Sequence, residues 1–340
     1  MGRRLRLGLA GFGNVGRTFA EMLLERRQLF AERYGAEPVL VFIADSRGYL
    51  GAPEGLPRSL VEKALRAPRG GVSRLEGGKP GGTVLDALRE LGVDVLVDAA
   101  PSRYQSPVAA EWWAEALGSG AAVVAADKAP LATGCTRFLQ GGWARRVFYK
   151  ATVMAGTPLI DMLRYGMAAR EVRRVTGVLN GTTNYVLGLA EEGLSLGEAV
   201  RRAQERGYAE PDPSADLEGL DLAAKAAIIS CTLGVPVTLW DVERRHRVDE
   251  EAFRRAREAA ARGRRLKYVA TVEPGRGARV ELLEVDPGSI LYHATGVLNA
   301  AVVEPVEAEP VSLLGPGAGP RATAASMLAD LASALLQGVV

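Results

Sequence analysis

Leu5-Arg6-Leu7-Gly8-Leu9-Ala10-Gly11-Phe12-Gly13-Asn14-Val15-Gly16 opens the chain with a short, largely apolar run followed directly by a GxGxxG pattern. Residues 5–10 read as a strand, and apolar residues at helical spacing begin straight afterwards, over 18–27. Strand, glycines and helix is the order a dinucleotide site requires. Gly11, Gly13 and Gly16 allow a tight turn and close backbone approach. Phe12, Asn14 and Val15 complete a helix start whose N–H groups face a pyrophosphate. A second apolar run, 39–44, ends in Asp45, at about the distance where an acidic residue meets the adenosine ribose. Arg47, two residues on, can instead pair with a 2′-phosphate, so NAD and NADP both stay open. Runs 93–99 and 121–126, separated by a helix over 108–117, add further buried parallel strands. The expected architecture is α/β: a Rossmann-type doubly wound parallel sheet joined to a second domain.

Composition bounds the rest. The 340 residues suffice for two domains with real cores, and 48% hydrophobic with 24% charged residues is ordinary for a folded soluble chain. The formal net charge is +2 with both signs interspersed, which argues against nucleic acid or an acidic membrane surface as partner. No run of about 18 apolar residues occurs, and glycines break the N-terminal apolar stretch, so neither a spanning helix nor an export signal is expected. A cytoplasmic location follows. Cys135 and Cys231 lack metal-ligand spacing and only His246 and His293 accompany them, so no zinc site is expected and both thiols read as reduced. The glycine-rich segment 69–82 reads as a flexible loop.

Only six of the 42 basic residues are lysines, which makes lysine chemistry easy to localise. Lys128 stands at the end of the strand over 121–126, where open α/β sheets bind their ligands. Lys225 closes the stretch 203–225, AQERGYAEPDPSADLEGLDLAAK. There Pro211 and Pro213 exclude regular helix and hold Glu210 and Asp212 on a stiff loop. Asp216 reads as the N-cap of the helix that follows, and Asp221 and Lys225, four apart, share one face of it. With the loop carrying Glu210 opposite, this makes a carboxylate, ammonium, carboxylate cluster; the plain alternative is a solvated surface pair. Upstream, residues 175–179 read as a strand leading into Asn180-Gly181-Thr182-Thr183-Asn184-Tyr185, a donor-rich loop suited to a small polar substrate, or simply an Asn-Gly turn. Strands over 268–273, 279–285 and 295–303 give the second domain a mixed sheet. Gly315-Pro316-Gly317-Ala318-Gly319 then precedes a helix over 322–336, which returns the chain toward the cofactor. The domains expected are 1–135, completed by 310–340, for the dinucleotide, and 136–309 for catalysis and dimerisation.

Taken together, GFGNVG, ADKAPLA, ATVMAGTP, GVLNGTTNY, the whole of 203–225 and GPGAGPRATA resemble homoserine dehydrogenase over nearly the full chain. The resemblance implies NAD(P)-dependent interconversion of L-homoserine and L-aspartate 4-semialdehyde, on the route to threonine, methionine and isoleucine, by a homodimer. It implies Lys225 and Asp221 as the acid/base pair and Lys128 between cofactor and substrate. Glu210, Asp216, Gly181, Thr182 and Tyr208 would meet the substrate, with Ala100 and Gly317 beside the cofactor. A sodium ion in the family aligns with Lys150, Val153, Ala155 and Thr157, but a glutamate is usual where Lys150 stands. The chain ends without the family's C-terminal regulatory domain, so threonine inhibition through that domain is not expected. The nearest alternatives are another amino-acid dehydrogenase or aldehyde reductase on the same plan, or a nucleotide-sensing protein. A sensor would keep GxGxxG without needing Lys225, Asp221 and Glu210 together.

Overall fold

A computed structural model describes residues 3–340, which fall into two compact units. The first comprises the chain up to Pro130 with Arg137–Thr152 and Gly319–Val340; the second is Leu131–Thr136 with Val153–Ala318. The boundaries therefore differ from those expected. The chain re-enters the first unit after residue 136 to supply its last strand, and residues 311–316 remain in the second as an edge strand.

The first unit is built on seven strands: β1 (Arg3–Ala10), β2 (Ala36–Asp45), β3 (Gly48–Gly51), β4 (Gly78–Pro80), β5 (Val95–Asp98), β6 (Ala122–Ala125) and β7 (Val147–Phe148). Their order is β4-β3-β2-β1-β5-β6-β7. The pairs from β2 through β1 and β5 to β7 are parallel, while β3 and β4 add an antiparallel edge. Burial on both faces explains why β2 is apolar from Pro38 to Ala44 and β5 from Val95 to Val97. Helix Asn14–Tyr34 packs with helix Pro320–Leu336 on one face, where Phe19, Met22, Met327 and Leu331 meet Leu5, Leu7 and Leu9. Helices Val84–Leu91 and Val108–Gly118 pack together on the other. The segment 69–82 is not a free loop: it forms a 3₁₀ turn, Val72–Arg74, and then β4. Asp45 gathers it, one carboxylate oxygen accepting from the Val72 N–H at 3.1 Å and the other from the Arg47 N–H at 2.9 Å.

The second unit carries β8 (Val172–Val178), β9 (Glu243–Arg244), β10 (Arg265–Glu273), β11 (Gly277–Val285), β12 (Leu298–Pro305) and β13 (Val311–Pro316), in the order β13-β12-β8-β10-β11-β9. All pairs are antiparallel except β11 with β9, so the sheet is mixed, as its sequence pattern suggests. Helix Leu220–Thr232 packs on β10 and β11 and buries every residue from Leu222 to Cys231. Its apolar residues cover the whole circumference, the pattern of a core helix rather than a surface one.

The cysteines correct an expectation. Cys135 and Cys231 are joined in a disulfide with Cα atoms 6.3 Å apart, although 96 residues separate them in sequence. Separation of that size leaves no local cue. The pairing arises in the tertiary fold, because the segment ending at Cys135 is held in the second unit, where Ala132 accepts the Leu239 N–H at 2.7 Å. Closing so long a loop removes about 4–5 kcal/mol of unfolded-chain entropy. Reduction with dithiothreitol, or Cys231→Ser, is expected to lower unfolding free energy by about 2–4 kcal/mol in denaturant titrations. Superposable curves with and without reductant would contradict this.

Candidate active site

β8 runs to Val178, and the two residues beyond it organise the second unit's polar centre. Asn180 caps helix Gly181–Glu191: its Oδ1 accepts from the Thr183 backbone N–H at 2.8 Å. The N–H groups of Gly181 and Thr182, the first two of that helix, have no intrahelical acceptor and are available to an anionic group. On the other side of the same amide, Asn180 Nδ2 donates to Asp216 Oδ1 at 2.7 Å and to Asp221 Oδ2 at 2.9 Å. Lys225 Nζ lies 2.7 Å from Asp221 Oδ2 and donates to the Leu179 carbonyl at 2.5 Å. With Lys225 only 8% exposed, the pair is no solvated surface bridge.

Gly219 sets the helix that carries this pair. It is the N-cap, with φ +78°, and a Cβ there would sit 2.3 Å from the Tyr268 hydroxyl, which donates to the His246 carbonyl. Only glycine meets both conditions. Asp216 is consequently not the cap; it lies in the separate single-turn helix Ser214–Leu217 that starts directly after Pro213. Its carboxyl is pushed above the usual range by burial and, secondarily, by the charge of Asp221.

Glu210 departs from expectation. Gln204 Nε2 donates to the Glu210 and Pro211 carbonyls at 3.1 Å each, fixing the backbone of the loop. The Glu210 side chain is exposed and outside the hydrogen-bonded cluster. Thr182 Oγ1 donates to the Tyr208 carbonyl at 2.7 Å, and the Tyr208 ring stands edge-on to Tyr185 at 5.0 Å. These contacts hold the 203–213 loop beside the start of helix Gly181–Glu191.

Sequence reasoning missed a second layer here. Asn184, buried, donates to the carbonyls of Ala294, Gly296 and Leu298, while its Oδ1 accepts from Lys267 Nζ at 2.8 Å. Burial lowers the Lys267 ammonium to about 8. A Cβ on Gly181 would meet the Val297 carbonyl at 3.0 Å, so the loop after Ala294 lies directly against the helix start. The second Asn of the NGTTN motif was the available signal.

The first unit holds the expected dinucleotide features. Gly11 has φ +88°, and a Cβ on it would come within 2.5 Å of the Ala100 nitrogen; one on Gly16 would lie 2.0 Å from the Gly11 carbonyl. Gly13, by contrast, faces open space at the start of helix Asn14–Tyr34, whose first turn has no side-chain cap. That opening before bare N–H groups fits a pyrophosphate. Phe12 packs under the Arg17 guanidinium at 4.7 Å, Val15 joins the core, and Asn14 accepts from Arg69 at 2.9 Å. Asp45 already accepts two backbone N–H groups, whereas the Arg47 side chain is exposed. At the ends of β5 and β6 lie two carboxyls the sequence did not flag. Asp98 accepts from Trp113 Nε1 at 2.8 Å and from the Ala100 N–H at 3.0 Å, and Asp127 accepts from the Ala129 N–H at 2.8 Å. Burial pushes both upward, Asp98 far above the usual range and further raised by Asp127. Asp127 braces the turn carrying Lys128, whose N–H donates to Ser102 Oγ at 2.9 Å.

Gly317 belongs to the second unit, where a Cβ would strike Asn299 at 2.0 Å. Ala155 donates to its carbonyl, and Thr157 Oγ1 donates to that of Pro316. Val153 is fully buried. Lys150 Nζ donates to Ser333 at 2.8 Å and lies 4.0 Å from Asp330. An ammonium in place of a carboxylate is poor company for a cation.

The sequence profile described as homoserine dehydrogenase matches residues 158–332. The homoserine dehydrogenase of Sulfurisphaera tokodaii is 30% identical over 96% of this chain and 97% of its own length. The chain belongs to the homoserine dehydrogenase family. It is thus an oxidoreductase acting on a CH–OH group. An NAD(+)-dependent homoserine dehydrogenase of Pseudomonas canavaninivorans is 32% identical, covering 96% of this chain and 95% of that one. A hyperthermophilic archaeal homoserine dehydrogenase in complex with NADPH superposes with a TM-score of 0.83 at 30% identity, covering 98% of each chain. The two-unit α/β architecture expected from the sequence is that of this family.

Removing one partner of a buried ion pair leaves the other uncompensated. Asp221→Ala is therefore expected to cost about 3–5 kcal/mol of stability. Lys225→Met leaves Asp221 beside Asp216 without the ammonium and should cost a comparable amount, whereas the double variant Asp221→Ala/Lys225→Met should cost clearly less than the sum of the two. Additive losses in chemical denaturation would contradict this reading of the pair.

Proposed function

We propose that this chain interconverts L-homoserine and L-aspartate 4-semialdehyde, using NADP or NAD, with Lys225 and Asp221 as the acid/base pair. The supporting observation is the cluster of buried Lys225 with half-buried Asp221 and Asp216, beside the N–H groups of Gly181 and Thr182. An amino acid offers a carboxylate for those N–H groups, an ammonium for Asp216, and a side-chain hydroxyl for Lys225. The cofactor, when bound, accepts a hydride from the alcohol carbon or returns it to the aldehyde. In the reducing direction the Lys225 ammonium donates a proton to the carbonyl oxygen and becomes a neutral amine; in the oxidising direction that neutral amine takes the hydroxyl proton and becomes the ammonium. Asp221 orients the ammonium and balances its charge. Lys128, at the end of β6, would take part as an added positive group. Glu210, Tyr208 and Thr182 would shape the substrate loop, with Glu210 requiring a side-chain movement from its exposed position.

For the cofactor, Gly11, Phe12, Gly13, Asn14, Val15 and Gly16 would hold the pyrophosphate, with Ala100 and Gly317 as further contacts. The prior engagement of both Asp45 oxygens leaves Arg47 as the freer recognition group, which favours NADP. The wider reading includes a place in threonine, methionine and isoleucine synthesis and a homodimer. A cytoplasmic setting belongs to the same reading, and among the described residues no helix is long and apolar enough to cross a membrane. Stable intracellular disulfides are chiefly a feature of hyperthermophiles, so Cys135–Cys231 narrows that setting.

Initial rates of L-homoserine oxidation with NAD and NADP compared side by side test the proposal. Lys225→Ala is expected to lose roughly 10²–10⁴-fold in turnover, the range for a general acid or base. Arg47→Ala should weaken NADP selectively. No oxidation with either cofactor despite cofactor binding would redirect the substrate assignment, and near-normal turnover in Lys225→Ala would remove that residue from the chemistry.

A further inference from the structure

We propose that Asn180 is the positioning residue of the site: one side-chain amide both starts the substrate-facing helix and clamps Asp216 and Asp221 in register with Lys225. The inference rests on the acid/base reading above. Asn180 is 4% exposed, and its orientation is fixed by chemistry rather than by choice. The Thr183 backbone N–H can only donate, so the atom facing it at 2.8 Å is Oδ1. Nδ2 must then face the carboxylates. It has two hydrogens and two acceptors, Asp216 Oδ1 at 2.7 Å and Asp221 Oδ2 at 2.9 Å, so the amide is fully used.

The consequence is geometric and electrostatic. Asp216 and Asp221 come from different helices, and two carboxylates near each other repel. A shared pair of N–H donors between them offsets that repulsion and sets their separation. Asp221 Oδ2 is the same atom that holds the Lys225 ammonium at 2.7 Å, and the carbonyl preceding Asn180, that of Leu179, accepts from the same ammonium. Two consecutive residues at the end of β8 therefore fix all three charged groups. The charged groups that reach Asn180 are Asp216, Asp221 and Lys225; Lys267, on β10, is engaged by Asn184 and the Ala294 carbonyl instead. Asn180 does not itself exchange a proton with substrate, and acts by placing the groups that do.

The two ends of the amide can be separated experimentally. Asn180→Asp keeps an acceptor for the Thr183 N–H but replaces both clamp donors with a third negative charge. Asn180→Ser also keeps a capping oxygen, remains neutral and is too short to bridge the carboxylates. Asn180→Ala removes cap and clamp together. With L-homoserine and the preferred cofactor, Asn180→Ser is expected to lose roughly 10–100-fold in kcat, the cost of misplacing a catalytic group, together with some thermal stability, because two carboxylates lose their shared donor while the cap is kept. Asn180→Asp should move the pH profile of oxidation to higher pH, because a third carboxylate makes the cluster hold its protons more tightly. A cap-only role predicts that Asn180→Ser and Asn180→Asp keep wild-type kcat and pH profile while Asn180→Ala alone loses stability; that outcome overturns the inference. Should Asn180→Asp fail to fold, Asn180→Ser decides alone. Failure of wild-type enzyme to oxidise homoserine would instead defeat the underlying functional reading.

Discussion

A lysine ammonium buried in a largely apolar helix is the constraint around which the second unit is arranged. Left unpaired, such a charge costs several kcal/mol, and a single carboxylate beside it merely transfers the problem to the carboxylate. The chain resolves this stepwise. Lys225 is paired with Asp221 and the Leu179 carbonyl; Asp221 and its neighbour Asp216 share the Asn180 amide; and Asn180 uses its remaining oxygen on the Thr183 N–H. The strand end, the start of helix Gly181–Glu191, the single-turn helix and the long buried helix are therefore joined by one set of hydrogen bonds.

The scaffold supplies the rigidity those contacts need. Gly219 lets the helix begin where a side chain would collide with Tyr268, and Tyr268 is itself anchored to the His246 carbonyl, its hydroxyl pushed up to about 12 by burial. At the far end of the same helix, Cys231 is bonded to Cys135, seven residues after Lys128. The helix is thus fixed at one end by a close approach only glycine permits and at the other by a covalent bond. Neither feature performs chemistry. Both limit the freedom of a helix whose first two turns carry the proposed acid/base pair, and hydrogen-bonded groups of this kind act only when held in place.

Much of this arrangement is legible in the residue order, and the failures are informative. The glycine turn at 11–16 and the Asp221–Lys225 spacing are local patterns that backbone geometry converts directly into structure. Four strands of the second sheet, β8, β10, β11 and β12, are likewise visible from their apolar runs, whereas the short β9 and the edge strand β13 are not. What escaped were relations set by tertiary contact. Asn180 read as part of a turn or a donor-rich loop, because nothing local reveals that its amide will meet carboxylates 36 and 41 residues away. Glu210 read as a cluster member because its loop is acidic and stiff, yet Gln204 holds the loop backbone and leaves the side chain outside. The 69–82 segment looked unstructured by composition until Asp45 bonded to it, and the disulfide depended on a fold-level juxtaposition. Asp98 and Asp127 were hidden as single acidic residues at strand ends.

The central claim is that Lys225 addresses the substrate hydroxyl while the start of helix Gly181–Glu191 receives its carboxylate. A crystal structure of the enzyme with oxidised cofactor and L-homoserine tests this most directly. The account predicts the substrate hydroxyl within about 3 Å of Lys225 Nζ, hydrogen-bond range for a proton exchange, and the carboxylate on the Gly181 and Thr182 N–H groups. Homoserine bound with its hydroxyl remote from Lys225, or held away from that helix start, would contradict it.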